Sequence, residues 1–500
     1  MSDPDSVYSP RTYGHWSVPG SVGVLKGTTL GQTLIGIIGL FVVVLVMTFK
    51  GVLDALIPFG VLLAWIAMIV FRDKDQLSVS DRLMERIGFM MKSLQGQRTF
   101  RSGPLSRVPH GNFRLPGLLA DSRMWAPVDP WGNECALVEH RSLGSWSIII
   151  NACPPGVGLI KPTDIDRQIG HWGNWLANSA DIPNIESVQC VLRAAPDTGE
   201  LLAGEVNRRV NPAAPEFACQ VMSDVIRESS GTASSVHAWV VITVKPRKGK
   251  AGKAGAEAVW NQLSQSVQGW CEHLGWTGMG VARPATPSEI AEMVKIAYDP
   301  LSEALITEAR AGGAPVRIAW EDVGPSAAQA DWDSYRHDSH TSQTIGMTLA
   351  PRSLVTSRVL EPLLRPHLQI PMKRVALVFT PIPPSSTPEV VEKERDHADQ
   401  QASQGRRPSG RAQKRQMDAK IAADEEARGA GLVLFSILAT ATWSNDADAE
   451  AVKEAFSGLP PASHLRMRPL FNAHDSGFAA TLPLGVCLGH YSSLPQLKAM

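Results

Sequence analysis

The sequence predicts an α/β (α+β) protein with an N-terminal two-helix transmembrane hairpin, followed by a cytoplasmic mixed sheet region with packed helices. Three observations lead to this prediction. Residues 27–49 contain no charged side chain, and neither do residues 55–71. About 400 residues of ordinary polarity follow them. In that region, β-branched runs typical of buried strands alternate with stretches whose apolar residues recur at helical spacing.

The two charge-free runs are each long enough to cross the hydrocarbon core of a bilayer, roughly 30 Å, as a helix. Only the short segment from Lys50 to Asp54 separates them. The first run is too long for a cleaved signal peptide and follows a polar segment, which argues against export and removal. The alternative is a helical hairpin buried in a soluble core.

Positive charges near the ends of the runs predict the orientation. Lysine and arginine are retained on the cytoplasmic side of a membrane. Those flanking the two runs are Arg11, Lys26, Arg72, Lys74, Arg82, Arg86 and Lys92, whereas the turn has Lys50 alone. We therefore expect a two-span protein of the cell (inner) membrane with both termini in the cytoplasm.

The sequence divides into six predicted segments. They are an N-terminal cytoplasmic tail (1–27), the hairpin (28–72), a juxtamembrane helix and linker (73–116), two cytoplasmic α/β subdomains (117–285 and 286–491) and a tail (492–500). In the juxtamembrane segment, residues 81–94 have apolar side chains at helical spacing with basic residues between them. This helix is expected to lie on the membrane surface or to pack on the cytoplasmic region.

The first subdomain is predicted to alternate strands and helices. Residues 134–140 and 146–152 read as a β-hairpin, and the runs at 185–192 and 235–244 read as further strands, the last buried on both faces. Helices are predicted around Ile165–Leu176 and Phe217–Val225 from their apolar spacing.

The second subdomain has a similar order of elements, although no sequence repeat is detectable. Thr286-Pro287-Ser288-Glu289 is a capping box that should start a helix ending near Asp299. Strands are predicted at 317–320, 343–349, 374–380 and 431–442, and helices at 354–364, 390–401, 413–427 and 446–456.

Composition excludes several broad classes. The 48 basic and 48 acidic residues balance, so no overall field favours DNA or an anionic membrane as a partner. Six cysteines are scattered without a Cys-x-x-Cys pair, which argues against a disulfide framework or a zinc ribbon. They are predicted to be small buried residues in a reducing compartment.

Motifs for nucleotide or metal chemistry are incomplete. The Gly-Lys pairs at Gly249 and Gly252 are each followed by alanine and lack the first glycine of a phosphate-binding loop. The stretch 156–161 has Lys161 in place of the third glycine of a dinucleotide fingerprint. The stretch 337–340, His-Asp-Ser-His, lacks a third metal ligand and reads as a polar loop. The sequence thus predicts no enzyme: no catalytic, cofactor-binding or metal-binding residues, and no cofactor.

Two clusters of basic residues lie in predicted loops. One is Lys245, Arg247, Lys248, Lys250 and Lys253; the other is Arg406, Arg407, Arg411, Lys414 and Arg415. Such clusters are usually solvated connections. Contact with DNA or anionic lipid is the alternative, because phosphate binding needs several cations presented together.

Short motifs spread over nearly the whole chain resemble one family. They are Val18-Pro19, the stretch Gly27 to Gln32 before the hairpin, Ala297-Tyr298-Asp299-Pro300, Gly324-Pro325, Trp332, Tyr335 to Asp338, Pro351-Arg352, Arg374-Val375-Ala376 and the closing stretch Phe478 to Gly485. Together they are similar to membrane proteins of actinobacterial conjugative elements. In that family a PrgI-like two-helix hairpin is fused to the amino-terminal, non-ATPase region of a VirB-class conjugation ATPase.

The resemblance implies a structural inner-membrane component of a conjugative type IV-like DNA-transfer apparatus. Its implied partners are a separate ATPase and other membrane subunits of the secretion complex. Two alternatives remain open at this point. One is a component of the type VII secretion apparatus with two spans and a cytosolic domain, and the other is a membrane-tethered enzyme whose site is assembled from distant residues.

Overall fold

The computed structural model describes residues 11–14, 16, 30–70, 78–102, 115–156, 160–196, 200–209, 211, 214–229, 234–246, 251–351, 353–403 and 410–491. The tail 492–500, most of the tail 1–27 and most of the predicted linker at 101–116 therefore lie outside the described residues. The helices are α1 (Leu30–Lys50), α2 (Val52–Val70), α3 (Val79–Leu94), α4 (Pro162–Ser179), α5 (Glu200–Arg209), α6 (Glu216–Ser229), α7 (Lys253–Leu274), α8 (Pro287–Tyr298), α9 (Ser302–Ala311), α10 (Glu361–Leu364), α11 (Thr387–Ser403), α12 (Gly410–Ala427), α13 (Ala449–Ala462), α14 (His474–Ala480) and α15 (Leu488–Tyr491).

The strands are short at the chain start and long in the middle of the sheet. They are β1 (Thr12–Tyr13), β2 (Thr99–Arg101), β3 (Ser122–Trp125), β4 (Leu137–His140), β5 (Ser145–Cys153), β6 (Ile185–Pro196), β7 (Ser234–Val244), β8 (Val281–Pro284), β9 (Ala327–Ala330), β10 (Tyr335–His337), β11 (His340–Leu349), β12 (Val355–Thr356), β13 (Met372–Pro381), β14 (Val433–Ser444) and β15 (Arg466–Pro469).

Thirteen of these strands form one sheet in the described part of the chain. Its order is β2-β9-β10-β11-β14-β13-β6-β7-β5-β4-β3, with β15 beside β11 and β8 beside β5. The α/β class is therefore confirmed, but the named strands pair antiparallel rather than in a mixed pattern. The reason is that α4 carries the chain from β5 to β6, which run in the same direction, while β7 inserts between them.

The similar order of elements in the two predicted subdomains corresponds to a two-fold arrangement of the sheet. From the centre of the sheet outward, the first half has the order β6-β7-β5-β4 and the second half has the order β13-β14-β11-β10. In both halves the third, fourth, second and first of these four strands, counted along the chain, follow one another. At that centre Val191 pairs with Ala376. A buried pair of hydroxyls recurs in each half: Ser147 Oγ lies 3.0 Å from Thr243 Oγ1, and Ser342 Oγ lies 2.7 Å from Thr442 Oγ1.

Helices cover both faces of this sheet. On one face, α4 and α7 pack on the first half, and α10 and α13 pack on the second half. On the opposite face, α8 and α14 share a single apolar cluster with residues from both halves. Successive residues of a strand point to opposite faces, so Ile148 and Ile150 enter one cluster while Ile149 enters the other. This double burial explains why the long strands carry apolar residues toward both faces, although buried polar side chains also lie on them.

Two buried histidines at corresponding turns of the sheet lie within hydrogen-bonding distance of backbone carbonyls at or after the ends of α8 and α14. The carbonyl at the end of α8, Tyr298 O, lies 2.5 Å from His337 Nδ1 in the β10–β11 turn of the second half. In the first half, His140 Nε2 in the β4–β5 turn lies 2.7 Å from Leu484 O, after α14. The contact at Leu484 joins the closing stretch around Gly485 to the first half, and this stretch is an internal part of the core.

Local signals placed most of the regular elements. The capping box at Thr286 is present with both of its hydrogen bonds, and α8 begins at Pro287 as expected. Two predictions were wrong. Residues 317–320 form no strand and end in a short 3-10 turn at Trp320–Asp322, and the helix predicted at 354–364 is reduced to α10, with β12 at its start.

Candidate membrane-facing surface

Helices α1 and α2 pack against each other as a tight hairpin. Gly51 alone separates them, and its φ of 97° is a conformation that glycine adopts without strain. The helices also approach closely at Gly39, where an added Cβ would lie 2.8 Å from Leu62 Cδ1. Among the side chains described on these helices, at residues 36–50 and 52–69, a narrow stripe is buried, including Val43, Ala55 and Leu62.

The remaining surface of the hairpin is apolar and exposed. Phe49 is 82% exposed and Leu53 is 83% exposed, and the other exposed apolar residues on the two helices are Ile37, Ile38, Leu40, Phe41, Val42, Val44, Leu45, Met47, Val52, Leu56, Ile57, Phe59, Val61 and Leu63. Transfer of each such side chain from water to an apolar medium is favourable by about 1.5–3 kcal/mol. A contiguous apolar surface of this extent is typical of a binding or membrane-contacting region.

Among the described helices, one is long and apolar enough by itself to be a candidate membrane-spanning helix. It covers Val52–Ile69, and only 11% of that window is buried. A shorter apolar stretch, Gly36–Lys50, belongs to α1. A groove of about 770 Å³ runs between the two helices, lined by apolar residues with Lys50 and Asp54 at one end.

The segment before the hairpin is attached to the domain that follows it. Thr12 pairs with Thr356 in the two-stranded sheet of β1 and β12. The Tyr13 hydroxyl donates a hydrogen bond to Asp166 Oδ1 at 3.1 Å, and the Trp16 ring packs edge-on against Phe435 with centroids 6.2 Å apart. The chain segments before and after the hairpin therefore belong to the same domain. Sequence analysis could not detect this pairing because β1 is only two residues long.

Helix α3 connects the hairpin to the sheet domain through one of its faces. Lys92 Nζ is 3.1 Å from Asp475 Oδ2, and Glu85 Oε1 is 2.7 Å from Arg468 Nη2. Phe89 packs perpendicular to the Trp332 ring with centroids 5.4 Å apart. Packing on the domain, one of the two expectations for residues 81–94, is thus present.

The stretch 337–340 forms the tight β10–β11 turn, with Asp338 at φ 45°. It was predicted to be a polar loop, but both histidines are buried. Because the Tyr298 carbonyl can only accept, His337 Nδ1 carries the proton and Nε2, 2.7 Å from Ser342 Oγ, accepts from that hydroxyl. Burial lowers the pKa of His337 to about 3, so the ring is neutral at physiological pH.

Two buried cations, Lys373 and Arg374, lie on β13, and the second belongs to a motif that the resemblance singled out. Burial lowers the pKa of Arg374 to about 9, and its guanidinium stacks over the Phe478 ring at 4.3 Å from the centroid. Its Nε and Nη2 atoms have no hydrogen-bond partner among the described residues. Burial likewise lowers the pKa of Lys373 to about 8, and its ammonium donates to Arg365 O at 2.6 Å.

The basic clusters are only partly described. In the first, residues 247–250 lie outside the described residues, Lys245 lies 3.8 Å from Glu186 and Lys253 lies 4.0 Å from Glu257. In the second, Arg406 and Arg407 lie outside the described residues, while Lys414 and Arg415 are on α12. The contact of either cluster with DNA or lipid stays a prediction.

The structure also shows where the glycine-containing stretch and the cysteines lie. The glycine-containing stretch at 156–161 connects β5 to α4, and residues 157–159 lie outside the described part. Four cysteines are buried as predicted, namely Cys135, Cys190, Cys271 and Cys487, but Cys153 is exposed and Cys219 is partly exposed. Among the described residues, no group of three or more His, Cys, Asp or Glu side chains is arranged to hold a metal ion.

The fold and this surface together define an α/β domain with an apolar helical hairpin beside it. Comparison with known proteins adds no family assignment, since no family model and no curated protein matches the chain.

Proposed function

We propose that this chain is a structural inner-membrane component of a conjugative type IV-like DNA-transfer apparatus. In this proposal the hairpin crosses the membrane twice, and the α/β domain in the cytoplasm docks a separate ATPase. Membrane anchoring is supported by two features together: the hairpin of α1 and α2 is apolar and exposed, and β1, which precedes it, pairs with β12 of the domain after it.

The pairing of β1 with β12 favours two crossings over one. If α2 alone crossed the membrane, Thr12 and Val355 would lie on opposite sides and could not belong to one sheet. Two crossings return the chain to the side from which it started. In the structure α1 covers 21 residues and α2 covers 19, and a helix of that length rises about 28–32 Å.

The role in conjugation rests on the resemblance of the short motifs. Three of them belong to the buried interior. Tyr298 and Phe478 pack together with ring centroids 4.8 Å apart, and Arg374 stacks on the latter. Residues in such positions maintain a fold, which is what an assembly protein requires of its docking domain.

Co-purification from native membranes tests the proposed role. The full chain carries an affinity tag and is solubilised in mild detergent. We expect a P-loop ATPase that lacks a membrane anchor to be retained in a reproducible ratio. The matched control is a chain with Lys92→Arg, which keeps a cation on α3 opposite Asp475 of α14 and should keep the complex. Repeated recovery without any such ATPase would contradict the proposal.

A genetic measurement separates this function from the type VII alternative. Deletion of the gene should abolish transfer of the conjugative DNA, and the wild-type chain should restore it. Loss of protein secretion with unchanged DNA transfer would instead favour the type VII apparatus.

A further inference from the structure

Helix α3 presents two different faces in opposite directions. Its inner face holds Glu85, Phe89 and Lys92 against the sheet domain, as described above. With 3.6 residues per turn, these three residues fall within one arc of the helix. The capping box at Ser78, in which the side chains of Ser78 and Asp81 bond each other's backbone N–H groups, fixes the start of the helix.

The outer face of α3 is apolar and exposed. Met84 is 71% exposed and Leu94 is 79% exposed. The other large apolar residues exposed on this helix are Val79, Leu83, Ile87, Met90 and Met91. At 100° per residue, the seven side chains lie within an arc of about 140° that is centred opposite the inner face. The apolar face is therefore not the one that fixes α3 to its own domain.

The position of α3 in the chain brings this face close to the hairpin. Seven residues separate Val70 at the end of α2 from Ser78, and a fully extended segment of that length spans at most about 25 Å. Helices α2 and α3 are also in contact with each other. Arg86, which is exposed, lies at the edge of the apolar arc, where interfacial helices carry their basic residues.

We propose that α3 lies in the headgroup region of the membrane that the hairpin crosses, with its outer face inserted among the upper parts of the acyl chains. The inference rests on the proposed membrane anchoring. The occupant of the apolar face is then the phospholipid surface itself, because the span ends within reach of the helix and the arc is bordered by a cation. The inner face meanwhile fixes the sheet domain to α3, so the domain is held at the membrane in one orientation.

Depth-dependent quenching in reconstituted vesicles tests this placement. The full chain, with the accessible thiols removed by Cys153→Ser and Cys219→Ser, receives one new cysteine labelled with an environment-sensitive fluorophore. The labelled positions are Met84→Cys and Leu94→Cys on the outer face, Ser93→Cys on the polar edge of the same helix, and Val61→Cys on α2. The lipids are phosphatidylcholine and phosphatidylglycerol brominated either near the headgroup end or near the terminal methyl of the chain.

The inference expects the labels at positions 84 and 94 to be quenched by bromine near the headgroup end and much less by bromine near the terminal methyl. The label at position 93, one residue from Leu94, should be quenched far less by either lipid. Equal quenching at positions 93 and 94 would overturn the inference.

The label on α2 separates the two proposals. Strong quenching at position 61 with none at positions 84 and 94 would overturn the placement of α3, leave the membrane hairpin intact and assign the apolar face to a protein partner. Absence of quenching at all four positions would overturn both. Circular dichroism and gel filtration of each variant verify that the labelled chain is folded.

Discussion

Replacement of Gly485 by alanine should strongly destabilise the sheet domain. This glycine follows α14 and lies across the first half of the sheet, where its N–H donates to Gln189 Oε1 at 3.2 Å. Its φ is 79°, which an alanine adopts only at a free-energy difference of about 1–2 kcal/mol. An added Cβ would approach Ser147 Oγ and Thr243 Oγ1 to well under 3.0 Å.

The two hydroxyls cannot move aside easily, because they bond each other on neighbouring buried strands. Overpacking of this kind destabilises by about 1–3 kcal/mol. Together the two effects should lower the free energy of unfolding by about 2–5 kcal/mol. Urea titration of the detergent-solubilised chain, monitored by tryptophan fluorescence, measures the change.

A matched glycine isolates the contribution of the clash. Gly429 also has a positive φ, 89°, but a Cβ added there meets nothing within 4 Å. Gly429→Ala should therefore lower the free energy of unfolding by only about 1–2 kcal/mol. If Gly485→Ala were no more destabilising than Gly429→Ala, the close packing of the closing stretch on the first half of the sheet would be wrong.

Three further changes test the buried polar groups. The folded-state pKa of His337, about 3, lies below its unfolded value of about 6.5, so the stability it supports is present above pH 6.5 and is lost as pH falls toward 3. By pH 5 the loss in the free energy of unfolding is about 2 kcal/mol. His337→Gln should therefore weaken the dependence of the free energy of unfolding on pH in this range, as measured by urea titration at each pH. Gln189→Leu should lower the free energy of unfolding by about 1–3 kcal/mol in the same titration, because the buried Ala480 carbonyl loses the Gln189 Nε2 donor. Arg374→Met should leave the thermal unfolding midpoint unchanged or raise it, because the substitution removes a buried charge that is stacked on Phe478 and bonded only weakly, to the Met372 sulfur.

Each of these outcomes has a clear contradiction. An unchanged acid slope in His337→Gln would mean that other groups cause it, with His140 and His474 the first to examine because burial lowers their pKa values as well. If Gln189→Leu left the free energy of unfolding unchanged, the hydrogen bond from Gln189 to the Ala480 carbonyl would not contribute to stability. A large destabilisation by Arg374→Met would mean that the guanidinium is bound to a buried water or anion.

The long strands and the capped helices could be predicted because their signals are local. The run at 235–244 is rich in β-branched residues and forms β7, which is buried on both faces over residues 238–244. The capping box at Thr286 fixed the start of α8 through two hydrogen bonds within four residues. The apolar spacing of residues 81–94 predicted α3 within two residues of its observed start.

The failures share a physical cause, which is pairing between distant residues. Val355 becomes a strand because Tyr13, more than 300 residues earlier, pairs with it, so the helix predicted at 354–364 does not form there. The strand predicted at 317–320 has the right composition but no neighbouring strand, and its apolar side chains Ile318 and Trp320 pack on the core instead. Neither outcome is visible in a local window.

The same limitation applies to polar residues in the interior. Arg374 lies in a strand predicted from its apolar neighbours, but nothing nearby in sequence indicates that Phe478 would cover it. His337 looked like part of a polar loop because its partner, the Tyr298 carbonyl, is a backbone atom nearly 40 residues away. The antiparallel pairing of the sheet likewise depends on β7 inserting between β5 and β6.

The membrane topology is the central claim, and two thiols in intact cells test it most directly. Leu53→Cys lies beside the hairpin turn, and the exposed native Cys153 lies on the sheet domain. A membrane-impermeant maleimide should label position 53 in intact cells and Cys153 only after the membrane is permeabilised. Labelling of Cys153 in intact cells, or labelling of position 53 only after permeabilisation, would contradict a hairpin that crosses the membrane twice and returns to the cytoplasm.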